Sequence, residues 1–475
     1  MNRETAISIL KRLRDTGFQA FFAGGCVRDQ VMGITPKDYD IATNARPEDL
    51  VRLFARTVTV GAQFGVVRVV EGEYSCEVAT FRRDGTYEDG RHPGEVIYTE
   101  DPRLDVLRRD FTINGLLYDP LTDRILDYVG GEQDIQARVL QTIGHPRLRF
   151  SEDKLRLMRA IRFTARFQLH IETETLAWIH RLAPQIVQVS RERVRDELVR
   201  ILTEGCSARG IRLLEDCLLL VEILPEVSQL KGVDQPPEFH PEGDVWVHTL
   251  LMLRLMDQTA REQSEPGGPS VREAESADIG FGGTRSYPSL TLAMGVLLHD
   301  IGKPPTFEVK DRIRFNGHTE TGARMAAGIC ERLRFPNKET ERILELVRDH
   351  LVFKDLPRMR LSTLKRFLRR DGFTEHLELH RLDCLGSHRN LENWQLANRL
   401  AEEMGSEEIR PPRLLTGNDL IAMGLEPGPS FKEMLKAVED AQLEGLVQSP
   451  EEARHLVLER FREFLPHQSQ QRDQN

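Results

Sequence analysis

The chain has 475 residues, too many for one hydrophobic core, so two to four domains are expected. With 40% hydrophobic and 29% charged residues it has the composition of an ordinary soluble globular protein, and no apolar run reaches the length of a membrane span. A net charge of -10 argues against nucleic acid as partner of the whole surface, yet His145 to Arg212 carries 14 Lys/Arg against 8 Asp/Glu. That local surplus suits either a phosphate footprint or a solvated helical face. The six cysteines are scattered with no CxxC pair, which reads as buried thiols in a reducing compartment. The opening MNRETAISIL lacks the flanks of a signal peptide, so a cytoplasmic location is expected.

In chain order, RETAISILKRLRDTG has helical spacing that ends at Gly17, and FQAFFAGG is a short apolar strand running into glycines. TVTVGAQFGVVRVVEGEYSCEVATFR reads as strands with turns at Gly61, Gly65 and Gly72. From Phe150 onward the pattern is almost wholly helical, so an α/β head gives way to an all-α remainder near residue 145. Residues 261–287 are rich in Gly, Ser and Glu without periodicity and predict a mobile insert between two helices. EEIRPPRLL reads as a linker and QSQQRDQN as a frayed tail. The expected division is a head at 1–145, a neck at 146–235, a helical array at 236–390 and a helical tail at 391–475.

The segment FAGGCVRDQVMGITPKDYDIAT sets two glycines and an arginine ahead of two acids. Asp38 and Asp40 are two apart, and on a strand that spacing turns both side chains to one face. Adjacent carboxylates repel unless a cation lies between them, and hard oxygen ligands select Mg²⁺. Glu77, in SCEVATF, supplies a third acid. Two metals held this way can activate an attacking hydroxyl and steady a leaving pyrophosphate. Gly24 and Gly25 allow backbone close to a triphosphate at a helix start, and Arg28 adds a fixed positive charge. The alternative for D-x-D alone is a surface turn.

The series GGCVRD…KDYDIAT, EVATFR, RRDFTIN and EDKLRLMRAIRF, in that order over roughly residues 20–220, resembles the bacterial-type (class II) tRNA nucleotidyltransferase and poly(A) polymerase family. The resemblance implies a polymerase-β-like palm with Asp38 and Asp40 as metal ligands and Glu77 as a third carboxylate. It places Gly25, Arg28 and Arg109 on the nucleotide, with Asp110 and Asn114 near the ribose.

In EDKLRLMRAIRF, Asp153, Arg156 and Arg159 are three apart and predict one helical ridge, continued by Arg162. A carboxylate only accepts hydrogen bonds and a guanidinium only donates. Cytosine and adenine each set an amino donor beside a ring-nitrogen acceptor, so an Asp153–Arg156 pair complements both and rejects uracil and guanine. The other reading is a surface ion pair worth a few tenths of a kcal/mol. In the family this helix selects the base, which carries Asp153, Arg156, Arg159 and Arg162 over as nucleotide-binding residues.

The second half sets His248, His299-Asp300 and Asp383 on successive predicted helices. Burying such groups without partners is costly, and imidazole with carboxylate suits a divalent transition metal such as Ni²⁺, Co²⁺ or Mn²⁺. His318 and His350 could complete a second metal position, with Lys303 near a phosphate. LLHDIGK resembles the HD phosphohydrolase signature, which implies an HD domain over 236–390; a degenerate, packed domain is the alternative. LLTGNDLIAMGLEPGPSFKEML resembles the tail of the same nucleotidyltransferases, where G-L-E-P-G-P either meets RNA phosphate or simply turns.

The expectation is an enzyme that adds CMP and AMP from CTP and ATP to the tRNA 3′ end, with no membrane partner. An A-adding enzyme, a poly(A) polymerase, a non-catalytic tRNA-binding scaffold and a phosphohydrolase whose head merely recognises nucleotide or tRNA are the rivals. VGAQFGVVRV lacks the basic pair expected after its glycine in poly(A) members, and RRDGTYEDGRHPGEVIYTED is a full-length loop, expected to be shortened in CC-only members.

Overall fold

The computed structural model describes residues 3–58, 65–84, 96–264, 288–404 and 410–464. Gly61, residues 85–95 of the loop after β5, most of the expected 261–287 insert and the expected frayed tail lie outside the described residues. The chain forms two compact units, Met1–Gln229 with Gly328–Pro336, and Leu230–Ala327 with Asn337–Asn475.

In the first unit, helix Arg3–Asp15 buries Ala6, Ile9, Leu10 and Leu13, the three-and-four spacing that puts one apolar stripe against a sheet. The strands are β1 (Ala20–Ala23), β2 (Ile41–Thr43), β3 (Thr57–Val58), β4 (Val66–Glu71), β5 (Tyr74–Thr80), β6 (Arg82–Asp84), β7 (Val96–Tyr98), β8 (Leu116–Asp119) and β9 (Arg124–Asp127). Seven of them form a sheet in the order β3-β4-β5-β2-β1-β8-β9, while β6 and β7 pair apart. The sheet is mixed: β2 runs parallel to β5 with Ile41 opposite Val78, and β1 is antiparallel to both β2 and β8. Both faces of β1 are buried, as its unbroken apolar run AFFA requires. Phe21, Ala23, Ala42, Phe81, Val106 and Leu117 pack as one cluster beneath it.

Helices Pro146–Glu152, Leu155–Arg166, Thr173–Leu182, Arg191–Thr203 and Ser207–Asp216 follow, which bears out the change from mixed to helical structure. Leu155–Arg166 is their centre, since Leu155, Leu157, Met158, Ala160, Ile161, Phe163 and Ala165 are all buried. A Cβ at Gly210 would come within 2.3 Å of Ile201 Cγ2, so the neighbouring helix lies closer than any side chain there would allow.

The second unit is built on helices that include Val245–Ser264, Leu290–Leu298, Asn337–Asp349 and Phe373–Gly386. A Cβ at Gly302 would lie 2.0 Å from the carbonyl oxygen of His318. The glycine of H-D-I-G is therefore what lets this turn sit under the start of the helix beginning at His318. All six cysteines are buried and none is in a disulfide. No helix among the described residues is long and apolar enough to cross a membrane.

His376 is 1% exposed, and neither ring nitrogen has a hydrogen-bond partner among the described residues. Burial, then the charges of Arg342 and Arg370, push its pKa from 6.5 down to about 3. Between those values the unfolded imidazole holds a proton that the folded one lacks, so stability rises with pH. It is fully present above the unfolded value and drains away as the solution is acidified. His376→Phe should therefore reduce the fall in melting temperature between about pH 7 and pH 5. Thermal melts of both proteins across that range measure it, and equal slopes would exclude His376 as a source of acid sensitivity.

Candidate active sites

Asp38 and Asp40 lie in the extended segment directly before β2 rather than on the strand itself. That segment is already in register, because Ala23 N–H donates to Asp40 O at 3.0 Å. Tyr39 between them is buried against Phe22, so the two acids share the opposite, solvent-facing side. Glu77 lies on β5 one step before Val78, the partner of Ile41, which brings it beside Asp40. Asp40 stays open to solvent, but crowding by protein, then repulsion from Glu77 and Asp38, push its carboxyl up to about 6 against the pull of Arg109. Such repulsion is what a bound cation relieves. Glu77 is also ion-paired to Arg68 at 2.7 Å across the β4–β5 ladder.

Gly24 has φ 71°, a conformation that favours glycine, and a Cβ there would press on Arg109 Nη1 at 3.1 Å. Arg109 is held by Asp105 at 3.0 Å and donates to the carbonyl of Asn114 at 3.3 Å. Arg28 is buried rather than presented to solvent. It donates to Asp29 at 2.6 and 2.9 Å and to Asn114 Oδ1 at 2.7 Å, and it lies 4.3 Å over the Phe167 ring. Asn114 Nδ2 in turn donates to Asp110 Oδ1 at 3.0 Å, and Arg159 grips Asp110 Oδ2 at 2.6 and 2.9 Å. Burial would raise the Asp110 carboxyl, but Arg159 and Asn114 together hold it down at about 2. A continuous network thus runs from the glycine turn through RRDFTIN to the helix Leu155–Arg166.

The expected ridge is differently arranged. Asp153 lies before the helix, between it and Pro146–Glu152, and accepts from Leu155 N–H at 3.0 Å. It pairs not with Arg156 but with Arg193, at 2.7 and 3.2 Å. Arg156 pairs with Glu152 and donates to Arg149 O at 2.9 Å. Arg162 does not continue a presented row: it is buried, 2.6 Å from Glu197 and 3.3 Å from Glu204. A carboxylate and a guanidinium three residues apart meet only if no better partner is near, and the helix Arg191–Thr203 supplies one for each end of the row. Arg193, Glu197 and Asp105 carry no local signal in the sequence.

In the second unit His248, His299, Asp300, His318, His350 and Asp383 converge. Ligand atoms of His248, His299 and Asp300 lie within 4.8 Å of one another, as do those of Asp300, His318 and His350, so Asp300 is common to two groups. His248 Nε2 is 3.3 Å from Asp383 Oδ1, and His318 Nε2 is 3.4 Å from His350 Nε2. Lys303 Nζ reaches Asp300 Oδ2 at 2.7 Å and Gln235 Oε1 at 2.6 Å. Burial works against charge on His248, but Asp383 and Glu242 pull it up to about 9. His350, buried beside His299, is pushed down to about 3. Among the described residues, His248 Nε2, His299 Nε2 and Asp300 Oδ1 are buried without a well-aligned hydrogen bond, the two nitrogens facing carboxylate oxygens of Asp383 at 3.3 Å and Asp300 at 3.0 Å. Leaving three such atoms without aligned bonds is costly, and this donor set fits a divalent transition metal. Glu242 and His240 also reach this cluster; H-P-E, just ahead of His248, was the readable sign of them.

A family model described as the poly A polymerase head domain matches residues 20–141. Residues 20–141 are thus similar to that head domain. Behind this domain, a model described as a probable RNA and SrmB-binding site of polymerase A matches residues 168–230, and the HD domain matches 246–371. The chain is similar to the CCA-adding enzyme of Bacillus pumilus (strain SAFR-032), 41% identical over 260 residues, 54% of this chain and 64% of that enzyme. It is also similar to that of Enterococcus faecalis (strain ATCC 700802 / V583), 40% identical over 261 residues with 54% and 64% covered. The matched stretch spans less than two thirds of these relatives' length. Among solved structures, the Bacillus stearothermophilus CCA-adding enzyme in complex with CTP superposes with a TM-score of 0.70 at 24% identity, over 98% of this chain and 99% of that one. The Thermotoga maritima CCA-adding enzyme complexed with tRNA gives 0.54 at 19% identity, over 97% and 96%. These two likenesses establish the shared fold. The poly A polymerase head and the HD domain both imply dependence on divalent metal.

Asp110→Ala should leave Arg159 and the Asn114 amide without their acceptor. The carboxylate is buried but the Arg159 side chain is 31% exposed, so the loss should fall below the roughly 3–5 kcal/mol of a fully buried pair, and amide hydrogen exchange in the helix Leu155–Arg166 should still speed up. Asp110→Ala combined with Arg159→Leu should recover part of that loss. Unchanged exchange in the single variant would mean that the pair does not brace the helix.

Proposed function

We propose that this chain is a nucleotidyltransferase that completes the tRNA 3′ end, adding CMP and AMP from CTP and ATP without a nucleic-acid template. The observation that carries this reading is the Asp38–Asp40 pair beside Glu77, with Arg109 acting on Asp40 from next to the positive-φ Gly24. It is supported by relatives named CCA-adding enzyme and by solved examples in complex with CTP, with ATP and with tRNA.

Asp38 and Asp40 would hold Mg²⁺, with Glu77 adjacent. A cation bound there supplies acidity to the terminal 3′-hydroxyl and neutralises charge on departing pyrophosphate. The 3′-oxygen forms a bond to the α-phosphorus as the bridging P–O bond to the β-phosphate breaks. Gly24 and Gly25 keep the backbone low where the triphosphate passes, and Arg109 offers fixed positive charge to it. Arg28, Asn114, Asp110 and Arg159 act as the brace that holds this turn against the helix Leu155–Arg166. Base choice falls to Asp153 as acceptor and Arg156 as donor. Asp153 keeps lone pairs beyond those given to Arg193, and Arg156 has five N–H donors.

A second activity rests on the convergence of buried imidazole nitrogens and carboxylate oxygens in the HD cluster. It is metal-dependent hydrolysis of a phosphate ester, with Ni²⁺, Co²⁺ or Mn²⁺ held by His248, His299, Asp300 and Asp383 and a second ion by Asp300, His318 and His350.

The deciding experiment offers single labelled nucleotides to tRNAs that lack A, CA or CCA at the 3′ end. Sequential incorporation of C, C and A is expected, and Asp38→Ala or Asp40→Ala should abolish it; incorporation retained in both variants at saturating Mg²⁺ would reject this site. Arg193→Ala should loosen Asp153 and lower the ratio of kcat/KM for CTP to that for UTP, as Asp153→Ala should directly. A bidentate base contact is worth roughly 1–3 kcal/mol, so the fall should be on the order of tenfold to a hundredfold. A constant ratio with both rates lowered would limit Asp153 and Arg193 to bracing.

A further inference from the structure

In the second unit's cluster, His299, His318 and His350 are oriented by one rule, to which His248 is an exception. His299 Nδ1 lies 3.0 Å from Val296 O, His318 Nδ1 2.8 Å from Phe315 O, and His350 Nδ1 2.7 Å from Val347 O. A carbonyl oxygen can only accept, so each of these Nδ1 atoms carries a proton, and in the neutral ring Nε2 is the free, ligating nitrogen. His248 meets a side-chain carboxylate instead, with its Nδ1 2.7 Å from Glu242 Oε1 and only a longer 3.3 Å approach to Gly386 O. The same Oε1 is 2.9 Å from His240 Nδ1, so two imidazoles share one carboxylate oxygen.

Glu242 is placed there by a fixed turn. Gly243 has φ 131°, and Asp244 accepts from Val247 N–H at 2.8 Å and from Gly232 N–H at 2.7 Å. His240 N–H donates to Pro236 O at 3.0 Å. The His248 side chain has no solvent exposure and Glu242 only 9%, so solvent does little to weaken the bond between them.

We infer that Glu242, steadied by His240, is a positioning residue that holds His248 as the Nδ1–H tautomer and makes it the most electron-rich nitrogen donor of the cluster. The group His248, His299 and Asp300 is therefore the tighter of the two cation sites, and Asp300, His318 and His350 the weaker. A carboxylate behind an imidazole raises its basicity more than a backbone carbonyl does, and loss of such a partner costs roughly 10–100-fold in metal affinity. This inference rests on the reading of the cluster as a metal site.

The test is titration of the metal-free full chain with Co²⁺, followed by visible absorption and by bound metal after equilibrium dialysis. The wild type should take up two ions with separable affinities. Glu242→Ala should weaken the tighter site by roughly 10–100-fold and alter its absorption spectrum, with the weaker site unchanged. Glu242→Gln retains an acceptor without charge and should fall between the two, and it decides the matter where circular dichroism shows Glu242→Ala unfolded. His240→Ala should produce a smaller loss, and His318→Ala should remove only the weaker site. Wild-type affinity in both Glu242 variants overturns the inference while leaving the metal site standing. A third ion lost with His240→Ala also overturns it, since Glu242 would then be a ligand itself. A wild type that binds no Co²⁺ removes the metal reading and the inference together.

Discussion

The Asp110–Arg159 ion pair is the contact on which the arrangement of the first unit depends. A carboxylate buried this deeply would cost several kcal/mol unless its charge and lone pairs were answered. Its answers come from Phe111 N–H and Asn114 on the RRDFTIN turn and from Arg159 on the helix Leu155–Arg166. Asn114 then passes the constraint to Arg28, directly after the glycine turn, so three segments distant in sequence are joined by one set of polar demands. The acids at 38 and 40 stand at the start of β2, the central strand of the sheet, next to β1 and the glycine turn. Their mutual repulsion is tolerated because the surrounding backbone is pinned on both sides, by β1 and by β5.

The second unit answers a related problem with imidazole rings. Three of its histidines tie Nδ1 to a backbone carbonyl three residues upstream, which aims the other nitrogen inward at little cost in side-chain freedom. Asp300 is shared between two groups of ligand atoms, and Lys303 balances part of its charge. Gly302 makes the sharing geometrically possible, since any side chain there would collide with the backbone at His318. The short H-D-I-G signature thus joins two candidate ligands to the one residue that lets the helix bearing a third candidate approach them.

Much of this was legible in the chain. Alternation around Tyr39 put Asp38 and Asp40 on one side, the change from mixed to helical spacing near residue 145 corresponds to the helices that follow from Pro146, and the scattered histidines of the second half do converge. These features depend on strand and helix periodicity, on turn glycines and on the cost of burying polar groups. Backbone stereochemistry determines such patterns within a few residues, so the sequence by itself determined the fold class and most of the candidate site residues.

Partner choice was decided elsewhere. Asp153 lies three residues from Arg156 but pairs with Arg193, 40 positions away, and Arg162 turns inward to Glu197, 35 positions away. Local spacing shows which side chains can meet along one helix, whereas a buried charge is claimed by whichever counter-charge another helix brings against it. Glu242 behind His248 belongs to the same class, since its role requires a loop folded back over a helix start. Only the tertiary structure settled these pairings, because Coulombic attraction and desolvation act through space and take no account of distance along the chain.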